Sequence, residues 1–120
     1  MGELSLAYSA RTYSSGTPGR ALCNARHHHW VADDSGGEAV GAGEMFCASI
    51  AACAVNMVER LGRENNRPVG RMQVEVSAFR DMAKNSDGDV TLYDAVRVDF
   101  AFEDTGEDDA AFLVKTWKER

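Results

Sequence analysis

The chain has 120 residues, the size of one ordinary domain, and with 44% hydrophobic and 27% charged residues it reads as globular. Its formal net charge of −6 argues against a duplex nucleic-acid binder, which needs a basic face to displace counterions, and against electrostatic docking on an anionic membrane. Three cysteines without secretory context argue against a disulfide scaffold; with no signal-peptide pattern in MGELSLAYSA, the expectation is a cytoplasmic protein with reduced thiols.

No internal repeat, low-complexity tract or linker interrupts residues 1–120, so a single domain is expected. ELSLAYSART alternates Leu4, Leu6, Tyr8 and Ala10 with polar neighbours and predicts a half-buried strand. SSGTPG is a turn, and RALCNARHHHWVADD a second extended stretch, broken at most once. DDSGGEAVGAG is a loop of turn-formers. GAGEMFCASIAACAVNMVERLG then predicts a helix from about Glu44 to Leu61, stopped by Gly62. RMQVEVSAFR alternates strictly and predicts a strand with Met72, Val74, Val76 and Ala78 on one face. KNSDGD reads as a hairpin turn, and VTLYDAVRVDFAFED pairs back with Val96, Val98, Phe100 and Phe102 on one face and a bend at YDA. TGEDDAAFLVKTWKER predicts a last helix, N-capped by Thr105, with an apolar stripe of Ala110, Leu113, Val114 and Trp117. The order is β-β, helix, β-β, helix: an antiparallel α+β layout.

Between Met45 and Val55 only Ser49 is polar. That run is far shorter than the roughly 20 residues of a membrane helix. One sheet covers one side of a helix, so a second surface must cover the rest. A second copy of the protein supplies it, unless the last helix and the loops suffice.

Cys53 lies mid-helix, where the helix N-terminus does not reach it. It is either a small core hydrophobe or a thiolate that needs a nearby cation. Cys47 is turned from it by about 240° and about 9 Å along the axis, so the two cannot bridge; it fits a core role, as Cys23 fits a strand. On a strand His27 and His29 share a face and His28 points away, too few ligands for zinc, and no other His or Cys cluster has ligand spacing. No metal and no cofactor is expected. GGEAVGAG lacks the Lys-Ser/Thr ending of a phosphate loop.

GGEAVGAGEMFCASIAACAVNMVERL resembles the signature of the osmotically inducible protein C and organic hydroperoxide resistance (OsmC/Ohr) family. Members show a Gly-rich loop, Glu-Leu-Leu, small residues, and Ala-Ala-Cys or Ser-Cys; here Glu44-Met45-Phe46 and Ala51-Ala52-Cys53 stand in those places. HHHWVADDSGGEA and VGRMQVEVSAFRD look like the flanking strands, so the likeness runs along the whole chain. It implies an OsmC-like α+β fold in which a buried central helix sits among antiparallel strands of an intertwined homodimer. It also implies thiol-dependent reduction of organic hydroperoxides without metal or flavin, with Cys53 as the attacking thiol and an external dithiol as reductant. In the family an arginine held by a glutamate activates the thiol. Arg20 and Arg26 are the candidates here, and Glu44 is the acid near them in sequence. Glu44 falls on the opposite helix face from Cys53, about 13 Å away, so it acts only through an arginine or in trans. The peroxidase subgroups carry that glutamate one residue earlier, where this chain has Gly43. The family's second cysteine, usually Cys-Pro after the last helix, and its final strand have no counterpart up to Arg120. The resemblance therefore leaves two expectations: the C-terminal part of the fold is missing from residues 1–120, or this member has no resolving cysteine in that place.

Overall fold

The computed structural model describes residues 2–85 and 93–119. Its elements run β1 (Arg11–Ser14), β2 (Arg20–Ala25), β3 (His28–Asp33), α1 (Ala42–Glu64), β4 (Met72–Phe79), the one-turn α2 (Met82–Asn85), β5 (Ala95–Phe102) and α3 (Glu107–Lys118). The expected α+β order holds, and both sheets are antiparallel: β1-β2-β3 and β4-β5. The chain divides into two compact units, Met1–Phe46 and Cys47–Arg120, with the first turn of α1 in the former.

In the first unit, the strand expected over ELSLAYSART is confined to its end. Residues 2–10 are exposed chain outside any strand, and Leu4, Leu6 and Tyr8 are 102%, 81% and 95% exposed. An alternating segment forms a strand only where an edge accepts its hydrogen bonds, and none of the strands pairings reaches these residues. Gly16 and Gly19, both at positive φ, make the expected turn into β2. RALCNARHHHWVADD is broken once, by a two-residue turn at Arg26 and His27 with Arg26 at φ 55°. This corrects the histidine geometry: His27 sits in the turn, and His28 and His29 are consecutive in β3, so they point to opposite faces. Cys23 and Ala32, each 5% exposed, are buried among these strands.

Helix α1 is longer than expected at both ends. Asp34 Oδ1 accepts the Ala42 N–H at 2.8 Å, and Glu44 Oε1 accepts the Gly41 N–H at 2.9 Å, so side chains satisfy donors that the helix start leaves open. Gly62 is not the stop. The helix continues to Glu64, and the left-handed residue is Asn66 at φ 54°. Arg67 N–H reaches Gly62 O at 2.9 Å and Asn66 N–H reaches Arg63 O at 3.4 Å, the paired bonds of a Schellman ending. Gly62 is glycine for a packing reason: a Cβ there would lie 2.7 Å from Val69 Cγ2 and 2.8 Å from Arg67 O.

The second unit holds the main core. Val58 and Leu61 of α1 and Leu113 of α3 are fully buried, with Met57, Val69, Met72, Phe100, Phe102, Phe112 and Trp117 packed against them. Each of the three fully buried side chains contributes about 1.5–3 kcal/mol. Met72 of the expected β4 face, Phe100 and Phe102 of the β5 face, and Leu113 and Trp117 of the α3 stripe meet in this core, Phe100 edge-on to Trp117 at 5.2 Å, while Val96 of the expected β5 face is exposed. Thr105 is not the N-cap of α3. Gly106 is, and the Thr105 hydroxyl accepts the Gly70 N–H at 3.0 Å and so fastens the start of β4 instead. The KNSDGD turn and the beginning of the strand after it fall mostly on 86–92, outside the described residues; β5 itself starts after the bend at Asp94.

Within the described chain, α1 is buried only at Ala54, Val58, Leu61 and Gly62. With 23 residues and a mean hydropathy of 1.3 over its most apolar stretch, it is long and apolar enough to cross a membrane by length and composition, which the short 45–55 run alone did not indicate. Its buried positions, however, recur at helical spacing and pack on β4, β5 and α3, and Glu59 and Arg60 stand exposed beside them. That is the pattern of a helix lying on a protein core.

Candidate functional site

The three thiols are unpaired and differ in exposure: Cys23 is buried, Cys47 half-buried and Cys53 exposed. Cys53 is therefore not a core hydrophobe of its own chain. It stands on the part of α1 that carries Ala48, Ser49 and Ala52, which are also exposed. Cys47, beyond the reach of Cys53 on the same helix, fits the filler role better, and Cys23 pairs across the sheet with Thr12 and Trp30.

The other three candidate residues lie in the first unit, and the structure gives each a distinct environment. Arg20 opens β2 directly opposite Asp33, the last residue of β3. Its Nε donates to Asp33 Oδ2 at 3.2 Å; the Arg20 side chain is 53% exposed, whereas that of Asp33 is 3% exposed. The other carboxylate oxygen of Asp33, Oδ1, accepts both the Ser35 hydroxyl and, at 2.9 Å, the Ser35 N–H. These Ser35 bonds first, and then the Arg20 charge, hold the Asp33 carboxyl below its ordinary value of 3.8 against the opposing effect of burial. The neighbouring Asp34 N–H donates to Gly19 O at 2.9 Å, so the turn before Arg20 and the loop after Asp33 are joined by main chain as well. Asp34's carboxylate caps α1. Two consecutive acids thus serve two neighbours: one holds Arg20, the other starts the helix that carries Cys53.

Arg26 sits in the β2–β3 turn with Nη2 3.3 Å from His28 Nε2, on an exposed rim. Glu44 is spent on the Gly41 N–H. The structure therefore does not join Glu44 to either arginine; the acid on Arg20 is Asp33, at the end of the second extended stretch where the Gly-rich loop begins. The usable signal was the β2–β3 register. With the turn at Arg26 and His27, six pairs counted back place Arg20 against Asp33. His29 Nδ1 bonds Asn24 Oδ1 across the strands. Among the described residues no group of three or more His, Cys, Asp or Glu could hold a metal ion.

This arrangement of two antiparallel sheets and a long central helix is the OsmC-like α+β fold. A solved structure described as an OsmC like protein from Mycoplasma pneumoniae superposes on the chain with a TM-score of 0.81 at 10% identity, over 98% of this chain and 84% of that one. A second solved structure, described only as structural genomics, matches with a TM-score of 0.68 at 18% identity, over 89% of this chain and 78% of that one. No family model matches the sequence, and no curated protein does. At such identities the likeness is one of fold.

Proposed function

We propose that this protein is a cysteine-based peroxidase that reduces organic hydroperoxides in oxidative-stress defence, acting as a cytoplasmic homodimer. The observation that carries the reading is the exposed Cys53 on the central helix of an OsmC-like fold, where Cys23 is buried and Cys47 half-buried. In the reaction, the Cys53 thiolate attacks the outer oxygen of the hydroperoxide. An S–O bond forms, the O–O bond breaks, and the alkoxide leaves and takes up a proton. The sulfur, oxidised by two electrons to sulfenic acid, is returned to the thiol by an external dithiol, which becomes a disulfide with release of water. The resemblance offers Arg20 and Arg26 as the cation for the thiolate, and Arg20 is the one paired with a carboxylate, that of Asp33. Arg26, at an exposed turn beside His28, is the weaker candidate, and Glu44 has a capping role.

A homodimer is supported by apolar surface that one chain leaves open: Leu4, Leu6 and Tyr8 in the N-terminal segment, and the Ala48, Ala52 and Cys53 side of α1. Such a patch on a folded chain marks an interaction surface. A net charge of −6 supports a small-molecule substrate over nucleic acid. A second reading, a dimer that binds an apolar small molecule without turnover, is favoured by a groove of about 660 Å³ between β5 and α3, lined by Val98, Phe100, Val114 and Trp117 among others.

The test is peroxide consumption with tert-butyl or cumene hydroperoxide and a dithiol. Cys53→Ser abolishes it and leaves the fold intact, because the replaced side chain is exposed; Cys47→Ala retains it. After one equivalent of peroxide, mass spectrometry finds added oxygen at Cys53. Three unmodified thiols together with a retained apolar ligand select the binding reading.

A further inference from the structure

We infer that the three-stranded sheet carries a binding site for a small phosphate monoester with an apolar body, its head held by Arg11 and Arg26 and its body laid over Tyr13, Leu22 and Val31. The site lies wholly within the first unit, and it is independent of the thiol chemistry.

Register sets the two halves of the site side by side. Arg11, Asn24 and His29 are successive partners across β1, β2 and β3, so their side chains share one face of the sheet. Two residues along each strand, Tyr13, Leu22 and Val31 form the next row on that face, and all three are exposed. At the far end the Arg20–Asp33 ion pair closes the face. Charge then separates the two ends. Residues 4–32 hold three arginines and three histidines but no aspartate or glutamate, although the chain has 19 acids. Asp33 neutralises Arg20, whereas Arg11 and Arg26 make no ion pair with a carboxylate among the described residues. These two arginines line one hollow of about 360 Å³ with Tyr13 and Asn24. A second hollow of about 430 Å³ runs over Leu22, Val31 and His29 and shares Tyr13 and Asn24 with the first. The polar side chains between them are already set. Asn24 Nδ2 donates to Arg11 O at 3.4 Å, so Asn24 Oδ1 accepts from His29 Nδ1 and His29 Nε2 is left for a ligand. Arg26 Nη2 donates to His28 Nε2 at 3.3 Å, which fixes that guanidinium by one nitrogen and leaves its others open. Two guanidiniums call for a dianion. A phosphate monoester carries about −1.5 to −2 near neutrality and offers three oxygens, enough for both forks, whereas a carboxylate brings a single charge. An acid-free sheet reverses locally the field of a chain whose net charge is −6, and the apolar row beside it gives the ester's substituent a surface to cover.

The test titrates the full chain with octyl phosphate at fixed ionic strength, because salt screens exposed arginines. NMR follows the His29 ring and the methyl groups of Leu22 and Val31, whose signals should shift together and saturate. Octanol lacks the head, inorganic phosphate lacks the body, and octanoate lacks the second charge; each should bind at least about ten-fold more weakly, the scale of one lost charge-assisted contact or more. Arg11→Gln and Arg26→Gln should each weaken octyl phosphate by about ten-fold for the same reason. Leu22→Ser should weaken octyl phosphate and leave inorganic phosphate unchanged. Arg60→Gln, which removes a charge from a surface ion pair of α1, should change neither. All four substituted positions are exposed, and the wild-type titrations decide even where a variant fails to fold. Octanol or inorganic phosphate binding as tightly as octyl phosphate removes one half of the site and overturns the proposal. Octanoate binding as tightly overturns the choice of a dianion and the proposal with it. Shifts confined to Val98 and Val114 place the ligand in the groove between β5 and α3, which also overturns it. So do signals of Leu22 and Val31 that respond to protein concentration and ignore octyl phosphate, since a second copy then covers the face.

Discussion

Replacing Gly62 by alanine sets two effects of opposite sign against each other. In a helix interior alanine is favoured over glycine by about 0.5–1 kcal/mol, so α1 alone would gain. At this position the new Cβ would lie 2.7 Å from Val69 Cγ2 and 2.8 Å from Arg67 O, both closer than such atoms approach. A methyl group on Val69 can rotate away. The Arg67 carbonyl is main chain, and the Arg67 N–H is already bound to Gly62 O at 2.9 Å, so the loop retreats only by loosening the helix ending. Overpacking of this kind costs about 1–3 kcal/mol. The clash outweighs the propensity, and Gly62→Ala should lose on the order of 1 kcal/mol. Urea unfolding followed by circular dichroism, at one fixed protein concentration because association also stabilises, measures it. Peroxide consumption per folded molecule should not change, since Cys53 lies more than two helical turns away. An equal or higher urea midpoint for Gly62→Ala would refute the packing account of this glycine.

Leu113→Ala, at a fully buried site shared by α1, β4 and β5, should lose about 2–5 kcal/mol, read by calorimetry as a large drop in Tm. The depressed carboxyl of Asp33 binds its proton more tightly in the unfolded chain; its stabilisation is therefore present above the ordinary value of 3.8 and disappears as pH falls through the lower folded value. Acid titrations should accordingly show a steeper loss below that pH for the wild type than for Asp33→Asn, and identical slopes would contradict it. Light scattering at micromolar concentration should give twice the chain mass, and Leu4→Ser/Leu6→Ser should shift the protein toward one chain mass. Dialysis against a chelator should leave fold and peroxide consumption unchanged; a loss restored by zinc would promote His27, His28 and His29 to ligands.

What could be read along the chain follows from where each element finds its partners. β4, β5 and α3 were legible because their apolar residues meet one another: Val74 faces Phe100 in the register and Leu113 seals the same core. Periodicity records such burial directly. The ends of elements were less so. Gly62 carries the strongest stop signal in α1 yet serves close packing, while Asn66 supplies the left-handed turn. Thr105 has the residue type of a cap, but its hydroxyl is taken by Gly70 from a distant part of the chain. Local chemistry names which residues are able to cap; tertiary contacts decide which ones do.

The site was harder for two physical reasons. The Arg20–Asp33 pair depends on register, and register depends on a tight turn at Arg26 and His27. Two-residue hairpin turns usually announce themselves with glycine or asparagine at positive φ. Here an arginine holds φ 55°, so the turn carried no signal and the pairing that follows from it stayed hidden. The second reason is that side chains are legible by burial only when what covers them belongs to the same chain. Leu4, Leu6, Tyr8 and the Cys53 side of α1 have the composition of buried surface and remain exposed in one copy. In the proposed homodimer a second copy covers them, and a thiol on such a surface gains a shielded environment only after association. Assembly and reactivity should then fail together: variants that keep the fold but separate the copies should also silence Cys53, although none of them touches it.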